Sequence, residues 1–159
     1  FVYSKYVSRG DYSKAASSGD YSKAASSGNY STAASSGDYS KAASSGDYSK
    51  AASSGNSSTA ASSGNSSKAA SSGDYSTAAS SGDYSTAASV GRHTVAMAAG
   101  SRCLVKAGEN GCFATAYYDE SAKRDRILVG YVGEDGVKPD TLYQIEVDSK
   151  TGEAKFVEA

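Results

Sequence analysis

From Gly10 to Val90 the polar and apolar positions recur every nine residues without insertion or deletion. The unit reads Gly, Asp or Asn, Tyr or Ser, Ser, Lys or Thr, Ala, Ala, Ser, Ser, and its places are numbered one to nine below. A flexible Ser/Gly/Ala linker needs no such register. A helix is equally unsuited, because Gly and Ser recur inside it and nine residues do not close on one helical face. Stacked short strands account for the period. The pattern predicts a strand over positions three to seven, Tyr-Ser-Lys-Ala-Ala, and a turn over Ser-Ser-Gly-Asp. Gly supplies positive φ, and Asp or Asn an Asx-type bond to the turn backbone.

Strand alternation then sorts the side chains. Lys at position five cannot enter a dry, narrow interior, so positions five and three point out and four and six point in. The interior is Ser and Ala alone, which requires closely spaced walls. Inward hydroxyls need partners along their own ladder or on the backbone. Two units per turn give a coil of 18 residues with two parallel sheets face to face. Alternate units at position two read Asp11, Asn29, Asp47, Asn65 and Asp83, which halves like-charge stacking in that column. The other column, Asp20, Asp38, Asn56 and Asp74, follows this less strictly.

The outward tyrosines form two ladders on the sheet faces. Tyr12, Tyr30, Tyr48 and Tyr84 share one, interrupted by Ser66; Tyr21, Tyr39 and Tyr75 share the other, interrupted by Ser57. The two gaps fall at about one level and predict a notch. His93 lies in an outward Tyr column.

The strict array is flanked by degenerate units, 1–9 and 91–108, which keep Tyr3, Ser4, Lys5, Gly91, Ala96 and Gly100 in their columns. The solenoid is assigned to 1–108 and a small antiparallel β cap to 109–159. Within the cap, 112–118, 126–132, 141–147 and 153–159 are rich in β-formers and joined by turn-forming loops. A meander of these strands would cover the open sheet end. Cys103 and Cys112 both fall at position four if the count is carried on, pointing inward from opposite walls. A disulfide and two buried thiols both fit that placement.

Composition removes several functions. Among 159 residues there are 17 Gly, 13 Tyr, one Pro and no Trp, so most of the length offers no aliphatic core. Sixteen basic against 17 acidic residues leave a net charge of −1, which gives no footprint for nucleic acid. No apolar run is long enough for a membrane-spanning helix. His93 has no catalytic partners beside it, and the pairs Asp119/Glu120 and Glu134/Asp135 lie in loops. No phosphate loop, triad, metal cluster or cofactor motif occurs, so an enzyme is not expected. Compartment is open.

The Gly-x-x-Ser-x-Ala unit resembles the head repeats of trimeric autotransporter adhesins, although its spacing is shorter. It resembles more closely uncharacterised phage and prophage proteins that carry such nine-residue repeats and a small C-terminal cap. The Gly111-Cys112 element and Lys138-Pro139-Asp140-Thr141-Leu142-Tyr143, within Gly133–Glu146, carry that likeness. It implies a solenoid fold and a phage origin, with virion, host cytoplasm and extracellular space all open as compartments, and no activity.

The expectation is an all-β, parallel β-solenoid that is structural rather than catalytic. Its Tyr faces mediate self-assembly or bind a protein partner, with a glycan as a further candidate ligand. The alternatives are a phage accessory inhibitor occupying a host protein's binding site, and an ice-binding protein.

Overall fold

Each unit forms its strand over positions five to nine and its turn over one to four, two residues later than the sequence frame. A computed structural model describes residues 4–148 and 151–159. The flanking-unit assignment of Phe1, Val2 and Tyr3, and residues 149–150 of the last loop, lie outside them.

Strands β1 (Lys5–Arg9), β2 (Lys14–Ser18), β3 (Lys23–Ser27), β4 (Thr32–Ser36) and β5 (Lys41–Ser45) follow at nine-residue intervals. So do β6 (Lys50–Ser54), β7 (Thr59–Ser63), β8 (Lys68–Ser72), β9 (Thr77–Ser81) and β10 (Thr86–Val90). Odd-numbered strands pair in one parallel sheet and even-numbered strands in the other. The register offset is 18 residues, as in Lys23↔Lys41 and Ala24↔Ala42. The chain is therefore a two-sheet β-solenoid with two units per coil. β11 (Val95–Ala98) and β12 (Leu104–Lys106) add further parallel rungs.

Backbone accounting explains the turn. The position-four N–H closes it onto the position-one carbonyl, as in Ser13 to Gly10 at 3.2 Å. Position one donates to the position-nine carbonyl of the next coil, as in Gly28 to Ser45 at 3.1 Å. Position three donates to the position-two carbonyl of that coil, as in Tyr12 to Asn29 at 2.9 Å. The position-two N–H is left, and the position-two side chain one coil earlier accepts it. Asp11 Oδ1 takes the Asn29 N–H at 2.9 Å, Asn29 Oδ1 that of Asp47 at 3.0 Å, and Asp47 Oδ1 that of Asn65 at 2.8 Å. Asp and Asn both offer this oxygen, which is why they interchange. The expected Asx bond is thus made between coils and not within the turn.

The interior follows the predicted parity. Ala at position six and Ser at position four are buried from coil to coil, for example Ala60 and Ser58. Position eight, also Ser, joins them inside. Position-four hydroxyls donate to position-nine carbonyls, as in Ser22 to Ser36 at 3.0 Å and Ser40 to Ser54 at 3.1 Å. In the odd-numbered sheet, position eight bonds the next position-four hydroxyl, as in Ser26 to Ser31 and Ser44 to Ser49, both at 3.3 Å. In the even-numbered sheet the Oγ atoms of Ser17, Ser35 and Ser53 make no hydrogen bond. The interior hydroxyl network is therefore one-sided as far as β6, and becomes two-sided where Ser71 and Ser89 of the even-numbered sheet bond each other at 3.0 Å and Ser76 at 3.3 and 3.1 Å.

At the far end each sheet receives its own hairpin. β13 (Cys112–Asp119) continues the odd-numbered sheet in parallel, and β14 (Arg124–Tyr131) pairs antiparallel with it. β15 (Tyr143–Val147) lies antiparallel to β12, and β16 (Ala154–Glu158) antiparallel to β15. The expected single meander is corrected to two hairpins, because two sheets present two open edges.

The turn of the first hairpin is built around Asp119. Its Oδ1 accepts the Ser121 hydroxyl at 2.6 Å and the N–H groups of Ser121 and Ala122 at 2.9 and 3.0 Å, while Arg126 bonds Oδ2. The Ser121 hydroxyl first, then the Ala122 N–H, and Arg126 beside them hold the carboxyl down from 3.8 to about 2. A depressed carboxylate stabilises the fold fully above its unfolded value, and the contribution is lost as pH falls through the folded value. The stability difference between the parent and Asp119→Asn should therefore shrink as pH drops from about 5 to about 2. Urea melts of the two proteins across that range check it, and a difference independent of pH would contradict it.

Candidate binding edges

The shift of the strand frame moves the seven ladder tyrosines from the sheet faces to the corners. Tyr12, Tyr30, Tyr48 and Tyr84 lie on the turns that lead into even-numbered strands, and Tyr21, Tyr39 and Tyr75 on the turns into odd-numbered ones. The ladders predicted for the faces therefore line the two narrow edges of the rod. Their membership is otherwise as predicted.

The rings are stacked. Tyr12–Tyr30 centroids lie 5.1 Å apart, Tyr30–Tyr48 and Tyr21–Tyr39 5.0 Å, with planes within 7°. All seven remain between 46% and 71% exposed. His93 ends one ladder by stacking on Tyr75 at 5.2 Å. Arg102 ends the other, with its guanidinium 5.6 Å from the Tyr84 ring and Nη1 donating to the Tyr84 hydroxyl at 2.7 Å. Ser57 and Ser66 occupy the ring positions between the stacks, one on each edge.

Each ring stands on unfavourable backbone. Tyr φ at position three is 57–59°, and Ser57, Ser66, His93 and Arg102 follow at 55°. The left-handed region costs an L-residue roughly 1–2 kcal/mol and is usual for Gly or Asn. It persists because the N–H groups around it are committed, those of positions two and three to neighbouring coils and that of position four to its own turn.

Charge is sorted by surface. The edges carry Asp at position two beside Tyr, while the faces carry Lys or Thr at position five. Between the face columns, small side chains leave a shallow groove along each sheet. Ala16, Ala34 and Ala52 with Ser18, Ser36 and Ser54 line one, and Ala25, Ala43 and Ala61 with Ser27, Ser45 and Ser63 the other. These grooves were hidden while Tyr was placed on the faces; the Ala-Ala-Ser-Ser run was their signal.

The cysteines are corrected in part. Cys103 is at position four and buried, its Sγ 3.3 Å from Ser85 Oγ. Cys112 is at position five, half-buried on the outer side, and both thiols are free. The unit that begins at Gly100 has only eight residues. Gly108 follows in the Gly column, Asn110 takes the left-handed place at φ 55°, and Val95 pairs with Cys112. Gly111, not Cys112, then occupies position four. The thiols lie on opposite sides of their walls and do not face each other.

Among the described residues no group of three or more His, Cys, Asp or Glu is placed to hold a metal ion. Comparison with protein families, curated proteins and solved structures finds no match to this chain.

Proposed function

We propose that the protein is a non-catalytic rod whose Tyr-bearing edges hold other protein surfaces, first of all further copies of itself. The observation that carries this reading is the exposed, stacked Tyr ladder kept on left-handed backbone. Gly at position three would relieve the strain in every coil, yet seven of nine strict units carry Tyr. Stacking returns about 0.5–1.5 kcal/mol per ring pair, which offsets the strain without explaining so much exposed aromatic surface. Acidic, aromatic edges and basic, grooved faces are complementary when rods lie side by side. Their repeat is matched, since every ladder has the same 18-residue step. Such a contact is head-to-tail in character and grows with concentration rather than closing at a fixed number.

Light scattering on a size-exclusion column tests this. The parent should grow beyond a dimer as concentration rises. The variant Tyr12→Ser/Tyr30→Ser/Tyr48→Ser, which extends what Ser57 and Ser66 already do, should associate about tenfold more weakly or worse. Equal growth in both proteins, or a parent that never exceeds a dimer, would overturn assembly through the edges. The second outcome leaves the Tyr edges to an unlike partner, as an accessory inhibitor would use them. The position-five columns mix Lys with Thr, and the raised Lys side chains interrupt the flat hydroxyl surface that ice binding would use, so this column gives that reading no support.

A further inference from the structure

β14 is the last strand of its sheet and bonds only β13. The Val132 N–H reaches the Gly111 carbonyl, so antiparallel alternation gives the even-numbered residues to β13. The N–H and C=O groups of Ile127 and Val129 are left at the free edge. Side chains of the same odd-numbered residues lie on the outer face, in line with Ala116, Ala114 and Cys112 of β13 and then Met97 and Val95 of β11. Val95, Met97, Ile127, Val129 and Tyr131 are 36–66% exposed. The same columns further along this face hold Lys or Thr, Ala and Ser. One end of one face is therefore apolar and borders an open strand edge.

The edge of the other sheet is built differently. β16 has five residues, with Lys155 paired to Glu146 and Glu158 to Lys138. Short, charged strands are how sheet edges are protected from association. β14 has eight residues and no charge from Ile127 to Tyr131.

We propose that β14 pairs antiparallel with β14 of a second copy about a two-fold axis, joining two odd-numbered sheets into one. A register centred on Val129 sets Ile127 against the partner subunit's Tyr131, a β-branched and aromatic pair. It pairs the uncharged segment Ile127–Tyr131 with the same segment of the second copy and leaves Arg124, Asp125 and Arg126 beyond the end of the facing strand. Registers centred on Arg124, Asp125 or Arg126 set a like charge against itself. Of the registers that pair only uncharged residues this one is the longest, so hydrophobic pairing and charge together select one self-complementary arrangement. It closes at two copies, unlike contacts through the Tyr edges.

Sedimentation equilibrium of the whole chain tests the pairing. The parent should dimerise, and Val129→Lys should raise the dimer dissociation constant about 100-fold or more. Its circular dichroism and melting point should be those of the parent, since the side chain is outward. Ile127→Lys and Tyr131→Asp should each weaken the dimer, and Ile127→Lys/Tyr131→Asp should recover part of the loss, which reads the register independently. The Tyr12→Ser/Tyr30→Ser/Tyr48→Ser variant should dimerise like the parent, separating this contact from the edge contact. A parent that stays monomeric, or a dimer indifferent to Val129→Lys, overturns the proposal; the first outcome leaves the edge to a strand from a different protein.

Discussion

Gly55→Ala is expected to lower the unfolding free energy by about 3–5 kcal/mol, summing backbone strain and overpacking. Gly55 sits at φ +108°, where a side chain is strained whatever the space around it. Space is also missing. A Cβ there would lie within 3 Å of the Gly37 carbonyl group and the Asp38 nitrogen, all backbone. Backbone cannot rotate aside as a side chain can, so the coil would open and lose its turn bonds. The same geometry recurs at Gly46, Gly64 and Gly73, so position one is fixed by the distance between coils. Gly10 provides the control. Its φ is +110° but nothing lies within 4 Å of the added Cβ, so Gly10→Ala keeps the strain and lacks the clash. Urea unfolding of the two variants should separate those contributions. Equal losses would show that coil spacing relaxes freely and that only backbone conformation demands Gly.

Much of this architecture was legible because identical units stack in register. The period fixed a coil of two units, and one Lys per unit sufficed to set the parity of the interior. Ser58 and Ala60 are inside for that reason alone. The strand frame was not legible. Tyr is a strand former by propensity, so Tyr12 was placed in a strand. In the fold, three hydrogen bonds from the turn to itself and the next coil override that preference and hold Tyr in a left-handed place. The hint lay in Gly-Asp-Tyr-Ser being the only four residues that can leave Lys-Ala-Ala-Ser-Ser as an unbroken strand.

The cap was legible in composition and not in register. Gly100 and Gly108 are eight apart rather than nine, a single deletion that moves every later side chain to the opposite face. Carrying the old count across it placed Cys112 inside. The true count places Phe113 inside. The exposed row on β14 was likewise hidden, since alternation in Arg-Ile-Leu-Val-Gly-Tyr-Val does not say which face the body covers. Gly130 decides it: only Gly fits against the Phe113 ring, so the even-numbered row faces in.

Phe113→Ala should detach the cap, at a cost of about 3–5 kcal/mol. Phe113 stands at position six, where the preceding coils carry Ala, and it is 1% exposed. Its ring stacks on Tyr143 at 5.3 Å and meets Phe156 edge-on at 4.8 Å. Tyr143 and Phe156 belong to the other sheet's hairpin, so this cluster is where the two hairpins grip each other across the rod. Tyr143 is anchored in turn, its hydroxyl accepting the Lys138 N–H at 2.8 Å. An interior only one Ala deep cannot close around the void left by a phenyl ring without the sheets moving together. Stability in stacked repeats is close to a sum of local terms, so the damage should stay near the end. Hydrogen exchange should show protection lost over β13 to β16 while β3 to β9 keep theirs. Loss spread evenly along the rod would mean instead that the solenoid depends on its cap and that coil-to-coil stacking does not sustain it.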